Sequence, residues 1–261
     1  NGGIPRMTTR IHHLLCGTLN VPPYPRVVCH GLLIEDARGL ALIDPGIGLV
    51  DVRDPPGRVG AELIAQAGFL FHEADTAIRG IERLGFNPAD VRHIVLTHAD
   101  PDHAGGLADF PHATVHVAAE ERAAVERGHP RYLPIQFAHQ PRWRAYDDGR
   151  TESWFGLPAR PITWDLTARV MLTPLFGHTQ GHCGVAVEQR DRWFLHVGDA
   201  YYLRAELTQD DHPVSQLAAF RAEDNAQRLT SLAHLRRLAN EHGTEIAMCG
   251  YHDAAEFPDN V

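Results

Sequence analysis

The segment Thr97-His98-Ala99-Asp100-Pro101-Asp102-His103-Ala104-Gly105-Gly106 decides how this chain is read. It follows directly on the apolar run Ile94-Val95-Leu96, inside a stretch, residues 91–97, that reads as a buried strand. Four side chains able to hold a metal, His98, Asp100, Asp102 and His103, thus crowd the carboxyl end of a strand, where open sheets place their ligand sites. Pro101 sets a turn that lets donors project from both sides of the break, and Gly105 and Gly106 permit close backbone approach before the next helix. A solvated acidic turn with stray histidines is the plainer alternative. It leaves unexplained why further donors recur at strand exits downstream.

Those further donors come in three groups. Phe176-Gly177-His178-Thr179-Gln180-Gly181-His182 follows an expected strand at 169–173. Val197-Gly198-Asp199-Ala200 ends another at 193–197, and Gly250-Tyr251-His252-Asp253 follows a last one at 245–248. His98, Asp100, Asp102, His103, His178, Asp199 and His252 are more donors than one tetrahedral zinc takes, and suit two ions sharing a carboxylate.

Elsewhere, strands are expected at 27–35, 40–43 and 184–188. Asp44-Pro45-Gly46 closes the second of these as a turn, and an irregular stretch surrounds residues 51–57. Ala74, Ile78, Ile81 and Leu84 keep helical spacing up to Gly85, residues 120–126 read as helix, and one long helix is expected over 214–242. From 128 to 164 the pattern breaks down into a proline-rich, aromatic excursion. Its aromatic part, 132–164, is expected either to wall a substrate pocket or to pack a homodimer interface. Strands interleaved with helices imply an α/β fold of sheet layers covered by helices, arranged as one domain over 1–261, large enough to bury a core without staples.

Composition excludes several functions. All 24 basic residues are arginine, so Schiff-base lysines and a phosphate-loop lysine are absent. A net charge of −9 without a basic run argues against nucleic-acid binding. Cys16, Cys29, Cys183 and Cys249 form no CxxC pair and read as reduced, buried thiols of a cytoplasmic protein. No apolar run is long enough to span a membrane, and no signal peptide is seen, although the six residues before Met7 read either as leader or as appended sequence.

The whole arrangement, from Val27 to Asp253, resembles the metallo-β-lactamase superfamily. Its motif of two spaced histidines followed by Asp-His stands here as His98-Ala-Asp100-Pro-Asp102-His103. Asp44-Pro45-Gly46 and Gly177-His178-Thr179-Gln180-Gly181-His182 match two further family elements. The resemblance implies an αβ/βα sandwich of two mixed sheets flanked by helices. It also implies two divalent ions, Zn2+ first and Mn2+ or Fe2+ next. His98, Asp100 and His178 would form one site, Asp102, His103 and His252 the other, with Asp199 bridging.

Asp100 departs from most of the family, which has histidine there. Three carboxylates and a hydroxide against two dications sum to zero, where the usual site sums to +1. That favours harder ions and partial filling of the first site.

Within the superfamily the chain looks most like the N-acyl homoserine lactonase group. This implies a metal-bridging hydroxide that opens a lactone, with Tyr202 donating to the carbonyl or leaving oxygen and Asp102 relaying a proton. The expected partner is a small carbonyl substrate. Rival readings are a thioesterase like glyoxalase II, a β-lactamase, a mononuclear iron sulfur dioxygenase, and a metal-bound binding protein with weak catalysis. Asp44 is expected to orient a ligating imidazole, and His182 to support the loop of His178. His12 and His13 beside Cys16 lack the partners of a second metal site, and His30 reads as core or pocket lip. His116, His139, His196, His212 and His234 read as structural or exposed.

Overall fold

Alternation of buried side chains explains the layering. In the strand Val170–Pro174, Val170 and Leu172 face one way and Met171 the other; in Cys183–Glu188, Cys183, Val185 and Val187 oppose Ala186. Both faces of these strands are buried, so the sequence shows nearly continuous apolar runs. Such strands must lie between two layers. The computed structural model describes residues 9–258, so the leader reading before Met7 falls outside the described residues.

The first sheet is built from β1 (Arg10–Val21), β2 (Tyr24–Asp36), β3 (Gly39–Ile43), β4 (Phe69–Leu70), β5 (Val91–Val95), β6 (Thr114–Ala118) and β7 (Arg142–Tyr146), in the order β4-β1-β2-β3-β5-β6-β7. The second holds β8 (Glu152–Trp154), β9 (Leu157–Pro161), β10 (Val170–Pro174), β11 (Cys183–Glu188), β12 (Trp193–His196) and β13 (Ile246–Cys249), in the order β13-β12-β11-β10-β9-β8. Both sheets are mixed: β3, β5, β6 and β7 run parallel, as do β12 and β13, and the other pairs are antiparallel.

Leu32, Ile34, Ile43 and Val95 of the first sheet meet Val170, Leu172 and Val185 of the second in a shared core. The outer face of the first sheet buries Leu14, Leu33, Leu42 and Ile94 together with Ile81 of a covering helix; that of the second packs Met171 and Leu195 on Leu232, Leu235 and Leu238. This is the αβ/βα sandwich of the metallo-β-lactamase fold.

The helices are α1 (Leu49–Arg53), α2 (Pro55–Arg58), α3 (Ala61–Ala67), α4 (Ala77–Arg83), α5 (Pro101–Ala104), α6 (Ala119–Glu126), α7 (Val214–Arg221) and α8 (Asn225–Glu241). Among the described residues none is long and apolar enough to cross a membrane.

Several elements differ from the sequence reading. The expected helix over 214–242 is two, α7 and α8. Between them the backbone N–H groups of Glu223 and Asp224 turn away to donate to His178 and Gly177 carbonyls, at 3.1 and 2.9 Å. Asp224 then caps α8 by accepting from the Gln227 N–H. The excursion 128–164 is not patternless: it carries β7 and β8, edge strands of the first and second sheets, and β9 beside β8, and so passes the chain from one sheet to the other. The stretch around 51–57 forms α1 and α2, and β1 and β6 escape the sequence reading altogether.

Asp36, at the end of β2, clamps the two layers. Its carboxylate accepts from the backbone of Thr167 and Ala168, from the Thr167 hydroxyl and from the Arg38 N–H. Burial alone would raise its pKa, but these donors hold it below the ordinary carboxylate value. The Asp36→Ala variant is expected to unfold at lower urea, losing roughly 2 kcal/mol at pH 7. A depressed folded-state pKa stabilises only above the unfolded value near 3.8, so the gap between wild type and variant should shrink as pH falls below about 4. Urea titrations at pH 7 and pH 3 measure both.

Candidate metal centre

The carboxyl ends of β3, β5, β10, β12 and β13 share one edge of the sandwich, and every chemistry-bearing loop leaves from there. Asp44 follows β3 and adopts a positive φ of 50°, which aims its carboxylate at the β5 exit. There Oδ1 accepts from the Thr97 N–H at 2.8 Å, while Oδ2 accepts from the Thr97 hydroxyl at 2.6 Å and from His103 Nδ1 at 2.9 Å. Gly106 lets the 97–106 loop pack closely: its N–H donates to the Gly46 carbonyl, and a Cβ there would meet the Pro45 carbonyl oxygen at 2.6 Å.

These anchors fix tautomers. The Thr97 hydroxyl hydrogen goes to Asp44, so its oxygen accepts from His98 Nδ1 at 3.0 Å. His252 Nδ1 donates to the Val28 carbonyl at 3.0 Å. His98, His103 and His252 are therefore each tied through Nδ1, leaving the Nε2 lone pair turned to a common centre.

The structure brings all seven expected donors into that centre. On one side Asp199 Oδ1 lies 3.3 Å from His103 Nε2 and 3.4 Å from His252 Nε2, and Asp102 Oδ2 lies 3.5 Å from His252 Nε2. On the other, Asp199 Oδ2 lies 3.3 Å from His178 Nε2, and Asp100 Oδ2 lies 3.4 Å from His98 Nε2 and 3.2 Å from His178 Nε2. Asp199 thus presents one oxygen to each set.

Donors about 2.1 Å from a shared tetrahedral ion stand about 3.4 Å apart, close to these spacings. His98 Nε2, His103 Nε2 and Asp199 Oδ1 are buried without a hydrogen-bond partner, as expected of atoms reserved for a cation. The donor set fits divalent metal.

A family model described as the metallo-beta-lactamase superfamily matches residues 24–242. The chain belongs to the metallo-β-lactamase superfamily. A probable metallo-hydrolase of Mycobacterium tuberculosis is 46% identical over 205 residues, covering 76% of this chain; the chain spans 64% of that relative's length. An N-acyl homoserine lactonase, AttM, of Agrobacterium fabrum is 27% identical over 226 residues, covering 82% of this chain and 78% of its own. A crystal structure of an N-acyl homoserine lactone hydrolase, with N-hexanoyl-L-homoserine bound at its catalytic metal center, superposes with a TM-score of 0.71. It covers 95% of both chains at 18% identity, a likeness of fold.

In this superfamily member two further carboxylates and an imidazole hold the donor loops. Buried Glu121, at the start of α6, accepts from the Ala99 N–H, the Tyr132 hydroxyl, the Thr179 hydroxyl and the Gly181 N–H, joining the loops of His98 and His178. Glu206 accepts from the Tyr202 N–H at 2.8 Å. His182 does more than support the His178 loop: Nδ1 donates to the Leu175 carbonyl and Nε2 accepts from the Asp199 N–H at 2.9 Å. Gly198, with φ 53°, makes room for that contact, since a Cβ would lie 2.7 Å from His182 Nε2.

Among the described residues, His12 and His13 join no group of metal-ligating side chains. His12 pairs with Glu35 at 2.8 Å, and His13 Nδ1 lies 2.7 Å from His30 Nε2. All four cysteines are free and buried. His116 and His196 are buried: His116 bonds the Tyr146 hydroxyl and His196 the His30 carbonyl.

The aromatic stretch does not wall the pocket, one of the two roles expected of it. A cavity of about 110 Å3 opens beside Asp102, Asp199 and His252, walled by Leu19, Val21 and Val27 of the first hairpin, Leu63 of α3, and Val214 and Leu217 of α7. Residues 132–164 do not line it. Tyr132 is buried on Glu121, Trp143 packs against Phe137 under Arg122, Trp154 lies in the second outer core and Trp164 sits against His93. Tyr202 is buried and lines the cavity, its ring 5.9 Å from His178 and 5.5 Å from His252.

One residue of the centre went unnoticed in the sequence. Arg131 donates from Nε to Asp100 Oδ1 at 2.5 Å and from Nη2 to Asp100 Oδ2 at 2.6 Å. Burial pushes Asp100 up, but Arg131, with His98 and His178, holds it well below the ordinary carboxylate range. The only clue in sequence was a carboxylate where most of the family carries a neutral imidazole.

Asp44 orients His103 without lying in the donor cluster. Asp44→Asn should weaken zinc binding roughly 10–100-fold, read by competition with a chromophoric chelator, while circular dichroism stays native.

Proposed function

We propose that this chain is a metal-dependent hydrolase that opens a carbonyl ester, and that its substrate is a lactone bearing an apolar acyl group. The observation that carries this reading is the meeting of two features at one spot: the donor cluster forms the floor of a cavity whose walls are largely apolar. A lactone with an acyl chain has the same polarity, a reactive polar ring on an apolar arm. The relationship to lactonases of about 27% identity supports the same choice.

Divalent metal held by donors drawn from His98, Asp100, Asp102, His103, His178, Asp199 and His252 would supply Lewis acidity and lower the pKa of water at the centre. The remaining work falls to side chains. The Tyr202 hydroxyl has no hydrogen-bond partner among the described residues and borders the cavity beside Asp199, so it is free to donate to an oxygen that gains charge. Burial, with Asp199 and Asp100 nearby, pushes the Tyr202 phenol well above its ordinary value, which keeps the proton on the donor at all working pH values. Asp102 borders the same cavity and is less enclosed than Asp199, which suits it to carry a proton to the leaving alkoxide. The apolar walls hold the acyl arm and exclude water from the reacting carbonyl.

Tyr202→Phe is expected to lower lactone turnover roughly 10–100-fold with metal content unchanged. The check is a pH-indicator assay on acyl lactones of short and long chain, run beside elemental analysis of the same samples. Equal turnover in variant and wild type would remove Tyr202 from the chemistry. Hydrolysis of thioesters or β-lactams but not of any lactone would replace the substrate class.

A further inference from the structure

The guanidinium of Arg131 stands where a cation belongs. Besides its fork on Asp100, Nη2 lies 2.7 Å from His178 Nε2, and Nη1 donates to the Arg221 carbonyl at 2.7 Å. An arginine only donates, so His178 Nε2 must accept, and the lone pair it gives to Arg131 is the one an ion would need. His178 Nδ1 then carries the ring proton, and that atom is buried without a partner. Both oxygens of Asp100 are likewise engaged by the guanidinium.

The unsatisfied atoms divide along the same line. His98 Nε2, His103 Nε2 and Asp199 Oδ1 are orphaned, whereas Asp100 and His178 Nε2, at the far end of the cluster, are already matched. Charge agrees with geometry. Asp100, Asp102 and Asp199 carry three negative charges, which Arg131 and one dication cancel. A buried aspartate in place of a neutral histidine needs a resident positive charge, and a guanidinium that never deprotonates supplies it permanently.

We propose that Arg131 fills the cation position bounded by His98, Asp100 and His178, so that this chain holds one divalent ion, bound by the donors that Arg131 leaves free. This rests on the metal-dependent reading above and narrows it: Arg131 is a positioning residue that fixes the metal count and furnishes the second positive charge of the centre.

Metal counting decides the matter without recourse to activity. Wild type, Arg131→Met and Asp100→His are each equilibrated with excess Zn2+, dialysed and analysed by inductively coupled plasma mass spectrometry. Co2+ titrations followed in the visible spectrum give an independent stoichiometry. One ion per wild-type chain is expected, rising to two when the guanidinium is removed or when its carboxylate partner becomes an imidazole. Circular dichroism establishes which variants are folded, and Asp100→His serves where Arg131→Met is not. Two ions in wild type, or one ion in every folded variant, would overturn the role of Arg131 and leave the metal-dependent reading intact. No ion in wild type would overturn both.

Discussion

Three carboxylates, buried Asp100 and Asp199 and the half-buried Asp102 at the cavity edge, converge at one edge of this sandwich, and their mutual repulsion is the condition the rest of the site must satisfy. Left alone in a buried setting such a cluster would take up protons or push its loops apart. Two kinds of positive charge are available to prevent this. One is covalent and permanent, the guanidinium locked onto Asp100; the other is a divalent ion, for which imidazole lone pairs are held ready. Histidine ligands alone would set no such demand. Asp100 and Arg131 are therefore the two halves of one charge-balanced pair.

Holding like charges together requires loops that do not yield, and the fold meets this with a ring of buried supports just outside the donors. Asp44 ties the exit of β3 to that of β5, Glu121 ties the start of α6 to the loops of His98 and His178, and His182 ties the β10–β11 turn to Asp199. Tyr251 stacks on His103 with centroids 3.8 Å apart and donates its hydroxyl to the Asp102 carbonyl, so the last loop presses on the first. Each support bonds a backbone group or a distal ring nitrogen and leaves the donor atom free. Rigidity is supplied without consuming the lone pairs that the chemistry uses.

What the sequence disclosed follows from how local each signal is. The donors stand immediately after apolar strands, so strand pattern and donor spacing could be read in one pass, and all seven do meet in space. The sandwich was legible for the same reason in its central strands. The missed strand β1 interrupts its apolar alternation with His12, His13, Thr18 and Asn20, and its pairing with β2 slips register twice, which erases a clean period of two. The break between α7 and α8 was invisible because the residues around Ala222 and Glu223 suit a helix. Only the carbonyls of Gly177 and His178, remote in sequence, draw those N–H groups away. Arg131 belongs to the same class: among 24 arginines, nothing near it in sequence marks the one that meets Asp100.

The cavity shows the same separation between local and distant signals, and it bears on how a common scaffold acquires different substrates. Its floor is written in motif residues, whereas its walls come from Leu19, Val21 and Val27 on the first hairpin and from Val214 and Leu217 on α7, none of which carries a chemical signature. Both walls are anchored beside the centre rather than in it. α7 is positioned by the same chain reversal that binds the His178 loop, because the residues that end it, Glu223 and Asp224, donate to that loop. The width of the cleft and the placement of His178 are thus set by one backbone junction. A substitution that re-extended the helix across residues 222–224 would move the apolar wall and release His178 together, which ties the shape of the cavity to the electrostatics at its floor.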